Sequence, residues 1–231
     1  MPLEVGITSA EPESLGERRR EWLERSLLYL VCDTRPAGRD LEEFLRAALQ
    51  GGVDVVQLRD KDAGERDAVE AGRVFRRLCD AYDALFIVND DPELAVACAA
   101  DGVHLGQDDR SVGEARAELG RDALIGLSTH SPKQIAAAGG ADYIAVGPVY
   151  RTPTKPEYAP VGLDLVRTAA ERAPAPFFAI GGIDAATVGE VLDAGAERIA
   201  VVRAICEADE PGESARLLKS AVEAKARVGT R

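Results

Sequence analysis

In the stretch ALFIVNDDPELA (84–95) a polar triplet breaks directly out of an apolar run, and its last member, Asp91, is accounted for as the cap of the helix that Pro92 begins. Asn89 and Asp90 have no such role. The following unit, GVHLGQDD (102–109), ends on Asp109, so two carboxylates can face each other across neighbouring strand ends. Such a pair suits magnesium, which takes one or two protein carboxylates and completes its octahedron with water and phosphate oxygens. Two loop acids engaged in ordinary salt bridges would leave the same pattern. Arg59, Lys61 and Lys155 also follow apolar runs, and cations beside a metal are what a pyrophosphate leaving group requires. Taken singly, each of the three reads equally as a solvated surface charge.

A second constellation lies nearer the C-terminus. Ala179-Ile-Gly-Gly-Ile-Asp184 lets the backbone come close to a ligand, while a helix capped by Asp184 would offer free N–H groups at its start. Val202-Arg203-Ala204 supplies the other half of a phosphate site, and a plain tight turn is the alternative for the glycine pair. His130, one of two histidines, sits on a loop where it could exchange a proton near neutral pH, whereas His104 alternates within a strand and reads as structural.

The elements that must hold these residues repeat one unit from residue 26 onward: an apolar or β-branched run, a polar or glycine-rich loop, then a segment of helical spacing. Strands are expected at 27–32, 53–58, 84–88, 102–105, 123–127, 142–146, 176–180 and 197–202. Asp40, Asp91, Ser131 and Asp184 stand where helix N-caps belong, and Ser111-x-x-Glu114 reads as a capping box. Eight such units predict an α/β fold, a closed (β/α)8 TIM barrel over 26–225, with an open doubly wound sheet as the alternative. Residues 1–25 form an N-terminal extension. Ser14-x-x-Glu17 can cap a short helix there with Leu15 and Trp22 on one side, forming either a lid on the barrel's N-terminal end or a basic patch; 226–231 reads as a tail.

Forty acids against 28 bases give a net charge of −12, which repels polyanions and argues against nucleic acid or an anionic membrane as partner. No run approaches the roughly 18 apolar residues of a spanning helix. The first residues lack the basic-then-apolar order of a signal peptide, so a cytoplasmic protein is expected. The four cysteines, Cys32, Cys79, Cys98 and Cys206, lie far apart without a C-x-x-C pair and read as buried thiols.

The ordered set QLRDK (57–61), VNDD (88–91), GVHLGQDD (102–109), GLSTHS (126–131), GPVYRTPTK (147–155), AIGGI (179–183) and AVVRAI (200–205) resembles the signatures of the thiamine phosphate synthase family. The resemblance spans about residues 27–206. It implies a magnesium-dependent transferase on a TIM barrel. That enzyme would join 4-amino-2-methyl-5-hydroxymethylpyrimidine diphosphate to a thiazole ethyl phosphate, or to its carboxylated form. By the resemblance, Gln57, Leu58, Arg59, Asp60, Lys61, Asn89, Ser128 and Lys155 hold the pyrimidine diphosphate, with Lys61, Ser128 and Lys155 acting on the departing pyrophosphate. Asp90 and Asp109 hold Mg2+, and Thr152, Pro153, Thr154, Gly182, Val202 and Arg203 surround the thiazole phosphate. Where the family usually has serine, this chain has Arg203, whose guanidinium either strengthens the phosphate contact or turns away into a salt bridge. The partners implied are small phosphorylated molecules, with a homo-oligomer left open. A related thiazole tautomerase, using a rim histidine such as His130, and a non-catalytic phosphate-ligand sensor on the same barrel are the rival readings.

Overall fold

The computed structural model describes residues 14–153 and 159–229. Within them β1 (Leu28–Cys32), β2 (Val55–Leu58), β3 (Leu85–Asn89), β4 (Gly102–Leu105), β5 (Leu124–Thr129), β6 (Tyr143–Val146), β7 (Phe177–Ile180) and β8 (Ile199–Val201) pair in sequence order, all parallel. β8 returns to β1, with Leu30 opposite Val201, and the barrel closes. The open-sheet alternative is thereby excluded. The expected strands fall within a few residues of the observed ones.

Strand alternation divides the apolar residues into two compartments, because successive side chains point to opposite faces. Tyr29, Val31, Val55, Leu85, Ile87, Leu124, Tyr143, Phe178 and Ala200 fill the barrel interior. Leu28, Leu30, Val56, Leu58, Phe86, Val88 and Ile144 face outward onto the helices. Those helices are α2 (Leu41–Gln50), α3 (Glu65–Ala81), α4 (Pro92–Ala97), α5 (Val112–Leu119), α6 (Pro132–Ala137), α7 (Gly162–Arg172), α8 (Val188–Asp193), α9 (Arg203–Cys206) and α10 (Pro211–Gly229), preceded by α1 (Leu15–Arg25). α10 runs past residue 225, so the segment expected as a tail is helical through Gly229.

Asp40, Asp91 and Ser131 cap α2, α4 and α6, and Ser111 forms the expected box with Glu114. Asp184 does not cap a helix. Its carboxylate accepts from the amides of Ala186 and Thr187, a local turn that delays α8 to Val188.

α1 carries the expected capping box, but its inward face is Gly16 and Leu23, not Leu15 and Trp22, which are exposed. Leu23 enters the interior cluster from the N-terminal end of the barrel, giving the lid. Arg19 and Arg20 pair with Asp101 and Asp142 and so staple the lid down rather than form a basic patch. All four cysteines are buried and unpaired. No helix among the described residues is long and apolar enough to cross a membrane.

Candidate active site

The same alternation that fills the interior aims the ends of the strands. β2 continues Val55, Gln57, Arg59 inward; β3 continues Leu85, Ile87, Asn89; β5 continues Leu124, Gly126, Ser128. These residues surround a cavity of about 590 Å3 at the C-terminal mouth of the barrel, a size suited to small phosphorylated ligands. Gln57, Arg59, Lys61, Asn89, Asp90, Asp109, Ser128, Thr152, Gly182, Val202 and Arg203 all line it.

Asp90 and Asp109 meet side chain to side chain. Burial first, then the hydrogen bond and the charge of Asp109, push the Asp90 carboxyl up to about 6, while Asn89 and Lys61 pull the other way. Asp109 also accepts from the Gly106 amide at 2.6 Å, which ties it into the loop after β4. The Asp90 amide donates to the His104 carbonyl at 2.8 Å, and its φ of 62° lies in the left-handed region that Asp and Asn tolerate best. Among the described residues neither acid makes a salt bridge within 4.0 Å, and neither do Arg59 and Lys61. Two carboxylates in contact need a shared proton or a cation between them. The donor set, two oxygen acids and no third, fits magnesium, which leaves the rest of its shell to water and phosphate; no group of three acids, histidines or cysteines gathers among the described residues.

Three of the expected residues have side chains engaged elsewhere. Leu58 is one residue out of phase with Gln57, so its side chain is buried among the outward-facing residues beneath the helices. Asp60 accepts from the Thr34 hydroxyl at 2.6 Å and from the amides of Thr34, Asp62 and Ala63. Partial burial opposes ionisation there, yet these bonds hold the Asp60 carboxyl below its ordinary value: it staples the loop that carries Lys61. Pro153 is exposed and outside the cavity lining. Thr154 and Lys155 lie outside the described residues.

The glycine pair has a reason other than ligand approach. Gly181 and Gly182 have φ of 103° and 68°, and a Cβ on either would strike Pro148 or Tyr150 of the loop after β6. Among the described residues nothing accepts from the Gly182 and Ile183 amides, or from those of Arg203 and Ala204 across the mouth. The free donors at this edge therefore come from the backbone, not from a helix capped by Asp184. The Arg203 guanidinium takes the salt-bridge alternative, 3.8 Å from Glu207 one helical turn on. His130 holds the loop after β6 through Nδ1, which donates to the Gly147 carbonyl at 2.5 Å, while its own amide donates to Gln134 Oε1.

The floor of the cavity holds polar residues that no sequence motif marks as site residues. Tyr29 and His104 line it, and His104 Nε2 lies 3.0 Å from Ser128 Oγ. Polar-tipped residues in phase with Gln57 and Ser128 were the available signal.

A family model described as thiamine monophosphate synthase matches residues 28–205. The chain is 48% identical over 207 residues to a thiamine-phosphate synthase of Nostoc sp., covering 89% of this chain and 58% of that protein. It is 51% identical over 210 residues to a thiamine-phosphate synthase of Mycobacterium tuberculosis, covering 85% of this chain and 95% of the relative. Among solved structures, thiamine phosphate pyrophosphorylase from Pyrococcus furiosus superposes with a TM-score of 0.80 at 34% identity, over 90% of this chain and 98% of the other. The chain spans about three-fifths of the length of the cyanobacterial relatives, 58% and 62% for two of them.

Proposed function

This chain belongs to the thiamine monophosphate synthase family, and from that premise we propose that it joins 4-amino-2-methyl-5-hydroxymethylpyrimidine diphosphate to a thiazole ethyl phosphate, releasing pyrophosphate. The observation that carries the reading is the contact between Asp90 and Asp109 on the rim of a cavity that Arg59 and Lys61 also line. Magnesium, held by the two acids, would supply positive charge to the diphosphate as it departs. Arg59 and Lys61, with no carboxylate within ion-pair distance among the described residues, keep their charge for the same oxygens. Ser128 donates a hydrogen bond to the leaving group. The bond from the ring methylene to diphosphate oxygen breaks with its electron pair on oxygen, the aminopyrimidine ring delocalises the cation, and the thiazole nitrogen closes the new C–N bond. No proton need move.

The second substrate's phosphate fits the amides of Gly182, Ile183, Arg203 and Ala204, whose donors lack acceptors among the described residues. Arg203 contributes its amide there, since its side chain is turned to Glu207. Lys155 and Thr154 join the phosphate-holding groups by the family resemblance. A reducing, cytoplasmic setting fits four unpaired buried cysteines, and partners limited to small phosphorylated molecules fit the net charge of −12.

The test is direct: incubate the protein with both substrates, with and without magnesium, and follow thiamine phosphate and pyrophosphate. Equal amounts of both products, formed only with the metal, are expected. Ring isomerisation of the thiazole without C–N bond formation would replace this reading with the tautomerase.

A further inference from the structure

Five polar side chains run in line along the cavity floor. Gln57 Nε2 donates to the Tyr29 hydroxyl at 2.7 Å, and the Tyr29 and Tyr143 hydroxyls lie 2.9 Å apart. The Tyr143 hydroxyl is 3.2 Å from His104 Nδ1, and His104 Nε2 is 3.0 Å from Ser128 Oγ. All five are buried; Tyr29, His104, Gln57 and Ser128 line the cavity, and Gln57 and Ser128 are the two ends of the line. The line exists because β5 has glycine at 126: a Cβ there would overlap both the Tyr143 ring and His104 Nδ1.

Each phenol carries a single proton to donate, and burial raises both tyrosines above their ordinary value, so neither gives it up to solvent. With a neutral imidazole in it, an unbroken chain of such groups has only two directions. With the Gln57 amide donating, Tyr29 donates to Tyr143 and Tyr143 to His104 Nδ1. His104 then carries its proton on Nε2 and gives it to Ser128 Oγ. The cavity then meets the Gln57 carbonyl oxygen as an acceptor and the Ser128 O–H as a donor. Reversed, it would meet an amide NH2 and a hydroxyl oxygen bearing only lone pairs. An anionic diphosphate needs the donor at Ser128, and an exocyclic ring amine needs the acceptor at Gln57. Both demands select the same direction.

Building on the transfer reading above, we propose that Tyr29, Tyr143 and His104 are positioning residues that lock Gln57 and Ser128 in this one sense. The cavity thereby selects a pyrimidine bearing an exocyclic amine over the same ring bearing an oxo group.

The experiment uses two unreactive diphosphate analogues, with a methylene in place of the ester oxygen, on the 4-amino and the 4-oxo ring. Binding is measured by calorimetry in magnesium on the full chain. The wild type should favour the amino ring by on the order of a hundredfold or more, because the oxo form leaves two acceptors facing each other. Tyr143→Phe keeps its ring against Phe178 and Tyr29, at 5.8 and 6.0 Å between centroids, yet interrupts the line. It should lower the preference by about tenfold, the worth of one hydrogen bond that no longer fixes the amide. Tyr29→Phe should do the same. In a Gln57→Ala background the preference should no longer respond to Tyr143→Phe. A ratio of two affinities is insensitive to the folded fraction, so a destabilised variant still reports. A preference unchanged in both tyrosine variants, or one that still falls without Gln57, overturns the positioning role. Wild type that binds neither analogue overturns the transfer reading instead, and the inference with it.

Discussion

The two ends of the barrel treat charge in opposite ways. At the N-terminal end, Asp54, Asp101 and Asp142 each precede an even-numbered strand and accept backbone amides from the strand before it: Leu27 and Leu28, Phe86, and Ile125. Each also pairs with cations: Asp54 with Lys219, Asp101 with Arg19 and Arg76, Asp142 with Arg20 and Arg116. Every one of these carboxylates is matched by donors. At the C-terminal end, two carboxylates touch each other and two cations line the same cavity without an acid in ion-pair range among the described residues. A folded chain tolerates mismatched charge where a ligand completes it, and removes it where stability is the only demand.

The largest loss of stability is expected at the stapled end. Asp142→Ala leaves Arg20, Arg116 and the Ile125 amide without their acceptor. It should lower the unfolding free energy by about 3 kcal/mol, read by urea denaturation, while the folded fraction keeps its turnover. A loss of activity without a loss of stability would erase the division of labour. At the open end the reverse is expected. Asp90→Asn keeps the left-handed backbone and should cut the proposed thiamine phosphate formation by about a hundredfold, the scale of removing a charge stabiliser, with Lys155→Ala similar in steady-state assays.

The pH dependence sharpens the contrast. The folded protein without metal holds a proton at Asp90 up to about 6, whereas the unfolded chain releases it near 3.8. Between those values the folded state binds more protons, so this group's contribution to stability falls as pH rises through the window and stays low above it. The stability of Asp90→Asn minus that of the metal-free wild type should therefore grow from pH 4 to above 6 and then level off. A flat difference in urea midpoints would mean that neither burial nor the Asp109 charge holds the proton on Asp90. The smallest effect is expected at the lid, where Ser14→Ala removes one half of the α1 capping box: about 1 kcal/mol, seen as faster amide exchange in α1 with turnover unchanged.

Much of this was legible in the linear chain, and the failures have physical causes. Strand positions, the caps at Asp40, Asp91 and Ser131 and the ring of polar residues at strand ends follow from local rules, because periodicity and capping act over a few residues. Alternation turns the Leu58 side chain away from Gln57, so a contiguous motif does not put every side chain on the cavity. Asp184 has the composition of a helix cap but satisfies a turn instead, and the outward faces of Leu15 and Trp22 show that an apolar spacing on a short helix does not say which side meets the barrel.

What the sequence by itself determined is the order of strands and helices and the residue types at the mouth. Only the tertiary structure decided that Tyr29 and Tyr143, 114 residues apart, share a hydrogen bond, that Gly126 makes room for it, and that Asp90 touches Asp109. The reason is closure. Alternation fixes the direction of a side chain from its neighbours in sequence, but the distance across a barrel is set by all eight strands at once.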